Sequence, residues 1–159
     1  MNGVKVKVSS TLNNDTVNFG KKHLTDGRSD TCWNSDGSGS LQWISLDFSG
    51  APCAPSGNYE LRLTFQGGFA SSEISLYRDL GDKCWEEVGS FPCIDANKEQ
   101  TFLMENVDGM RRLRLVFGKP TDMFGRIILY NLSLVAVDTL SLVAVGPAEQ
   151  GKKEISKDV

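Results

Sequence analysis

The chain has 159 residues, 40% of them hydrophobic and 23% charged, with 17 Lys and Arg against 20 Asp and Glu for a formal charge of −3. That length suits one domain with its own core, and no stretch approaches the roughly 20 apolar residues of a membrane-spanning helix. The slightly acidic balance supplies no field to gather phosphates, so neither nucleic acid nor membrane is an expected partner.

The N-terminal MNGVKVKVSS alternates Val4, Val6 and Val8 with lysines, which predicts a strand over residues 4–9. It lacks the continuous apolar region of about 7 to 15 residues that a secretory signal requires, so an intracellular protein is expected. Residues 17–24 read as a helical turn or two, with Asp15 or Thr16 as cap and Phe19 and His23 on one side. The Lys21-Lys22 pair reads as the solvated face of that turn. Asp26-Gly27 can turn the chain, and Thr31 and Trp33 share one side of an extended segment. A strand over residues 41–48 follows, with Leu41, Trp43, Ile44, Leu46 and Phe48 at its apolar positions. Trp33 and Trp43 read as core residues rather than as sugar-stacking platforms, and Trp85 as core or sheet edge.

Further strands are predicted over residues 59–66, 73–77, 84–88, 100–104, 110–117 and 126–137, with turns at 37–39, 50–57, 81–82 and 95–98. In the seventh strand Leu113, Leu115 and Phe117 alternate with Arg112, Arg114 and Val116, the pattern of a half-buried strand whose arginines point outward. About eight short antiparallel strands suit a two-sheet β-sandwich. Within FQGGF, Gly67-Gly68 predict a bulge or a close backbone approach, with Phe65 and Phe69 anchoring either side; Phe69 is a core anchor or is displayed for a partner. Arg126 opens the last strand and can pair with Asp26, Asp30 or Asp122, or serve as an anion-binding Arg in a ligand pocket.

The sequence LSLVAV occurs twice, at residues 132–137 and 140–145, with an even offset that keeps the same side chains on one sheet face. The second copy is a candidate hairpin strand, edge cover or self-association strand, or a duplication with little function. Residues 146–159 are polar and are predicted to be disordered. Cys32, Cys53, Cys84 and Cys93 lack CxxC spacing, and His23 is the one histidine, so zinc is not expected. The thiols are expected to be mostly buried and free, with Cys84 and Cys93 as a candidate pair across a hairpin under oxidising conditions. No GxSxG or HExxH surrounds His23, and Glu86 and Glu87 point to opposite strand faces, so no catalytic machinery is expected.

Asp26-Gly27, then Thr31 and Trp33, then a strand closing on Leu46-Asp47-Phe48 resemble the first loop of the discoidin, or F5/8 type C, group of galactose-binding-like sandwiches. That group typically reads DGxxxTxW before a strand ending hydrophobic-Asp-hydrophobic. FGKKHL (19–24), TCWNSD (31–36), FQGGF (65–69) and TDMFGRIILYNL (121–132) resemble a small intracellular branch associated with an orphan nuclear receptor. The likeness spans roughly residues 4–137 and implies an all-β, galactose-binding-like jelly-roll β-sandwich, with residues 138–145 as an extension and 146–159 as a tail.

The same resemblance implies function. It points to a non-catalytic protein-protein interaction module of nucleus and cytoplasm, an adaptor or transcriptional corepressor of an orphan nuclear receptor. The alternatives are a calcium-assisted, lectin-like carbohydrate-binding module, or a non-catalytic subunit of a larger intracellular assembly. No cofactor is required, and calcium is a candidate. In calcium-binding members the first loop holds the ion, and the matching positions are the carbonyls of His23 and Arg28, the side chains of Asp26 and Thr31, and Asn131 on the last strand. Asn131 places a neutral amide where those members carry a Glu, and Asp26 can instead cap backbone amides without an ion. Asn34, Ser35, Asp36, Phe69 and Arg126 are the candidate ligand or partner residues on the loops at one end.

Overall fold

Alternating apolar and polar residues fold the expected segments into strands. In chain order these are β1 (Lys5–Val8), β2 (Trp33–Asn34), β3 (Gln42–Asp47), β4 (Asn58–Phe65), β5 (Ser71–Asp79), β6 (Trp85–Pro92), β7 (Glu99–Met104), β8 (Arg112–Pro120) and β9 (Ile128–Val137). The computed structural model describes residues 1–37, 39–79, 81, 82 and 84–138. A five-stranded sheet runs β1-β3-β8-β5-β6 and a four-stranded sheet runs β2-β9-β4-β7, with every pairing antiparallel. The architecture is the discoidin-like, galactose-binding-like β-sandwich.

The core lies between the sheets and follows the period-two rule. Ile44 and Leu46 of β3, Leu113, Leu115 and Phe117 of β8, and Leu61, Leu63 and Phe65 of β4 are fully buried. The Phe117 ring sits 6.1 Å from that of Trp33 and 6.0 Å from that of Phe65, so one aromatic cluster joins β2, β4 and β8. Trp33 is buried as expected, and its indole N–H donates to the Ser10 carbonyl at 2.9 Å.

Trp43 departs from its expectation. It is half-buried and lies on the outer face of the five-stranded sheet, because Ile44 and Leu46 take the inward parity of β3. The Arg114 guanidinium stacks 4.4 Å from the Trp43 ring and 4.6 Å from that of Trp85, which is also half-buried and outward.

The predicted helical segment is broken in two. Helix α1 (Thr16–Phe19) is capped by Asp15, whose side chain accepts the Asn18 backbone N–H at 3.0 Å. Gly20 then turns extended, and a 3-10 turn covers Lys21–Leu24. A Cβ at Gly20 would lie 2.3 Å from the Thr16 carbonyl oxygen, so glycine permits the close turn.

Gly67 and Gly68 form the turn between β4 and β5 rather than a bulge inside a strand. Gly68 has φ +88°, and the two amides donate to Asn97 Oδ1 at 2.9 Å and Asp95 Oδ1 at 2.8 Å.

The thiols also differ from expectation. Cys32 and Cys93 are half-buried, and Cys53 and Cys84 are exposed. Cys84 and Cys93 flank β6 at opposite ends, separated by about 30 Å of extended strand against the ~7 Å limit for a bridge, so they cannot pair. The second LSLVAV copy and the polar tail lie outside the described residues.

Candidate functional site

The first loop, residues 25–32, is organised around the Asp26 carboxylate. Its Oδ1 accepts the Arg28 backbone N–H at 2.9 Å, and its Oδ2 accepts the Thr31 hydroxyl at 2.6 Å. Asp26 Oδ2 also lies 3.2 Å from His23 Nδ1, while His23 Nε2 lies 2.9 Å from the Val17 carbonyl oxygen. The Thr31 hydroxyl first, then the Arg28 amide, hold the Asp26 carboxyl down at about 2 from an ordinary 3.8. Arg28 turns away to make a two-armed contact with Asp30, at 2.9 and 2.7 Å.

Asn131 faces Thr64 in the β4–β9 register. The β2–β9 pairing covers Trp33↔Leu129 and Asn34↔Ile128, and the β4–β9 register shifts between Leu129 and Asn131. Of the five residues expected around an ion, hydrogen bonds join His23, Asp26, Arg28 and Thr31, and Asn131 stands on β9. As a donor set they offer a hard cation little negative charge. Both Asp26 oxygens already accept protein hydrogens, Asp30 is paired with Arg28, and Asn131 is neutral. Among the described residues no cluster of three or more His, Cys, Asp and Glu side chains could hold a metal.

The second group of residues gathers at one end of the sandwich. There the β2–β3, β4–β5, β6–β7 and β8–β9 connections meet. The Ser35 hydroxyl accepts the Ile127 backbone N–H at 2.8 Å, and the Ser35 N–H donates to the Ile127 carbonyl at 2.9 Å. Gly37, at φ +64°, brings its loop so close that a Cβ there would lie 2.5 Å from the Phe124 carbonyl oxygen. Arg126 pairs with Asp122 and with neither Asp26 nor Asp30. Its Nε lies 3.1 Å from Asp122 Oδ2, and its backbone N–H donates to the same oxygen at 3.0 Å. Burial pushes the Asp122 carboxyl up, but the Arg126 side chain and amide and the Phe124 amide outweigh it, and the net shift is downward.

The Arg126 guanidinium lies 4.8 Å from the Phe69 ring centroid, so Phe69 is neither a core anchor nor free: it is half-buried under a cation. Asn34 and Ser35 are buried, and Asn34 Oδ1 has no hydrogen-bond partner among the described residues. Asp36 is exposed, and its backbone N–H donates to Ser10 Oγ at 3.0 Å.

Sequence reasoning missed the apolar rim of this end. Met123 is 87% exposed, Phe124 62%, Ile94 59% and Leu41 54%. Met123 and Phe124 stand in a turn between Asp122 and Gly125, where no sheet periodicity demands apolar residues, and that mismatch was the available signal. Behind the turn, Arg126 pairs with Asp122 and stacks on the Phe69 ring, which ties the exposed Met123 and Phe124 to the β4–β5 connection.

No protein-family model matches the chain. Among solved structures it is similar to a CBM32 module of Clostridium perfringens in complex with GalNAc-β-1,3-galactose, with TM-score 0.67, 16% identity, and 84% of this chain and 96% of that one covered. An F5/8 type C domain from Bacteroides fragilis aligns with TM-score 0.66 and 15% identity over 82% of this chain and 89% of that one. At these identities the likeness is one of fold. In sequence the chain is 40% identical over 129 residues to the nuclear receptor 2C2-associated protein of Bos taurus, covering 81% of this chain and 88% of the relative. It is 37% identical over 134 residues to that of Danio rerio, covering 84% and 92%. The names borne by these relatives and neighbours are those of an associated protein and of binding modules, and the chain belongs to the nuclear receptor 2C2-associated protein family.

Proposed function

We propose that this chain is a non-catalytic interaction module that binds a nuclear receptor through the Met123-Phe124 end of its sandwich, as an adaptor or corepressor inside the cell. One observation carries the proposal. Large apolar side chains stand exposed on a turn whose backbone is pinned by Asp122, and exposed apolar rims on rigid bases are characteristic of docking surfaces. The receptor as partner rests on the names of the relatives. The mechanism is steric: a bound sandwich blocks receptor dimerisation or coactivator access and needs no reactive group. We further infer that residues 25–32 keep their shape through the Asp26 hydrogen bonds rather than through a calcium ion.

Binding of the purified chain to purified nuclear receptor 2C2, followed by calorimetry, tests this reading. Met123→Glu with Phe124→Glu should abolish binding while leaving the melting temperature unchanged, since both side chains are exposed. A galactose series run in parallel distinguishes the lectin-like alternative. Retention of galactose-containing glycans with no receptor binding would replace the proposal by that alternative.

A further inference from the structure

The Lys21-Lys22 pair, which reads in sequence as a solvated face, acquires neighbours in the fold. A pocket of about 500 Å³ opens between β1, β3 and the α1 segment, and Lys7, Lys21, Lys22, Thr11, Thr16 and Trp43 line it. The close turn at Gly20 folds the two lysines back beside Thr16. Lys7 projects from β1 across to the same hollow. Trp43 forms one wall, and the Arg114 guanidinium stacked 4.4 Å from its ring fixes the indole in place.

The charge around this pocket is unbalanced. Among the described residues no carboxylate forms an ion pair with Lys7, Lys21, Lys22 or Arg114. Arg114 Nε is buried without a hydrogen-bond partner among them. Asp15 is the acidic group near Lys22, and its carboxylate is occupied by the backbone N–H and side-chain amide of Asn18 at 3.0 and 2.8 Å. Unpaired cations thus concentrate beside one indole in a chain whose formal charge is −3.

We propose that this pocket binds a phosphoryl group carried on serine or threonine of a partner protein segment, with a flanking side chain packed on Trp43. A phosphate ester carries about −1.5 to −2 charge and three acceptor oxygens, which matches several ammonium groups and two threonine hydroxyls better than a single carboxylate does. The volume is that of a small-ligand site. A nucleic acid would need unpaired cations running in a track along a surface, whereas Arg112 on the neighbouring strand is engaged by Asp79 and the chain as a whole is acidic. The pocket shares no lining residue with the Met123-Phe124 rim, so the proposal does not rest on the receptor reading.

The test uses the full chain and two degenerate libraries of short peptides, identical except that one carries central phosphoserine or phosphothreonine. Phosphorylated peptides should bind saturably, quench or shift tryptophan emission, and be displaced by inorganic phosphate, while their unphosphorylated counterparts should not bind. Lys21→Glu with Lys22→Glu should weaken binding about tenfold or more, and both side chains are exposed, so the variant folds. Lys5→Glu, on the same strand as Lys7 but outside the lining, should leave binding unchanged. Three results overturn the proposal: equal affinity for both libraries, including none for either; wild-type affinity in the double variant; or retention on phosphatidylcholine vesicles containing a phosphoinositide with no peptide binding, which would assign the pocket to a lipid surface.

Discussion

Thr31 donates its hydroxyl to Asp26 Oδ2 at 2.6 Å, and through that bond the end of the first loop is tied to its start. The partner oxygen, Oδ1, accepts the Arg28 amide, so the carboxylate closes two rings at once. The charge form of Asp26 is what these bonds favour, and its carboxyl is accordingly held at about 2.

A pH dependence follows with a definite sign. Unfolded Asp26 titrates near 3.8, and in the folded chain it titrates at about 2. Between those values the unfolded chain binds a proton that the folded chain does not, so stability rises with pH across the window. The contribution is fully present above about pH 4 and is lost as the pH falls through about 2. Thr31→Val removes the leading cause. Carboxyl titration by NMR should then show Asp26 moving up toward 3.8, and acid unfolding should begin at higher pH. An unmoved Asp26 titration in Thr31→Val would assign the shift to the backbone amide instead.

Calcium separates a hydrogen-bonded loop from an ion-bound one. Asp26→Ala should lower the melting temperature equally with and without calcium, and calcium should leave the wild type unchanged. A calcium-dependent rise in the wild type that Asp26→Ala abolishes would show that the loop binds the ion despite Asn131.

The strands were legible in the sequence where side-chain parity was unambiguous. In β8, Leu113, Leu115 and Phe117 alternate with Arg112 and Arg114, and the structure buries the first set and exposes the second to the outer face. In β3, Trp43 and Ile44 are adjacent and both apolar, so parity alone could not say which faced the core. Burial of Leu46 and Phe48 decides it, and Trp43 goes outside. β2, two residues long, carries no period of its own and is legible only as the end of the extended segment through Thr31 and Trp33. The Gly67-Gly68 pair predicts a bulge or a close backbone approach, because glycine pairs mark bulges, close approaches and turns alike, and the positive φ of Gly68 with its partner Asp95 settles the turn. Arg126 had three acidic candidates in sequence, and only the fold selects Asp122. The approach of Lys21 and Lys22 to Trp43 is tertiary and leaves no mark in local spacing.

The cysteines make a chemical prediction. Cys53 and Cys84 are exposed, whereas burial pushes the Cys93 thiol up to about 12 and raises that of Cys32 as well. A thiol reagent at neutral pH should modify Cys53 and Cys84 rapidly and Cys32 and Cys93 only slowly. Peptide mapping after mild oxidation should recover no intramolecular Cys84–Cys93 link, and finding one would require β6 to unfold.

The last prediction concerns the base of the proposed docking end. Asp122 Oδ2 accepts three contacts at once: the Phe124 amide at 3.2 Å, the Arg126 amide at 3.0 Å and the Arg126 Nε at 3.1 Å. Asp122→Ala should therefore cost about 1 kcal/mol in urea unfolding, the usual net worth of hydrogen bonds to a half-buried acceptor. Hydrogen exchange gives the sharper readout. The amides of Phe124 and Arg126 should exchange faster in the variant, while the Ile128 amide, which donates to the Phe69 carbonyl at 3.0 Å, should keep its protection. Uniform loss of protection across all three would mean that Asp122 holds up the strand junction as a whole. Selective loss would mean that it holds only the turn that presents Met123 and Phe124, and the same variant should then weaken receptor binding without removing any exposed apolar surface, because a mobile rim must be ordered again each time it docks.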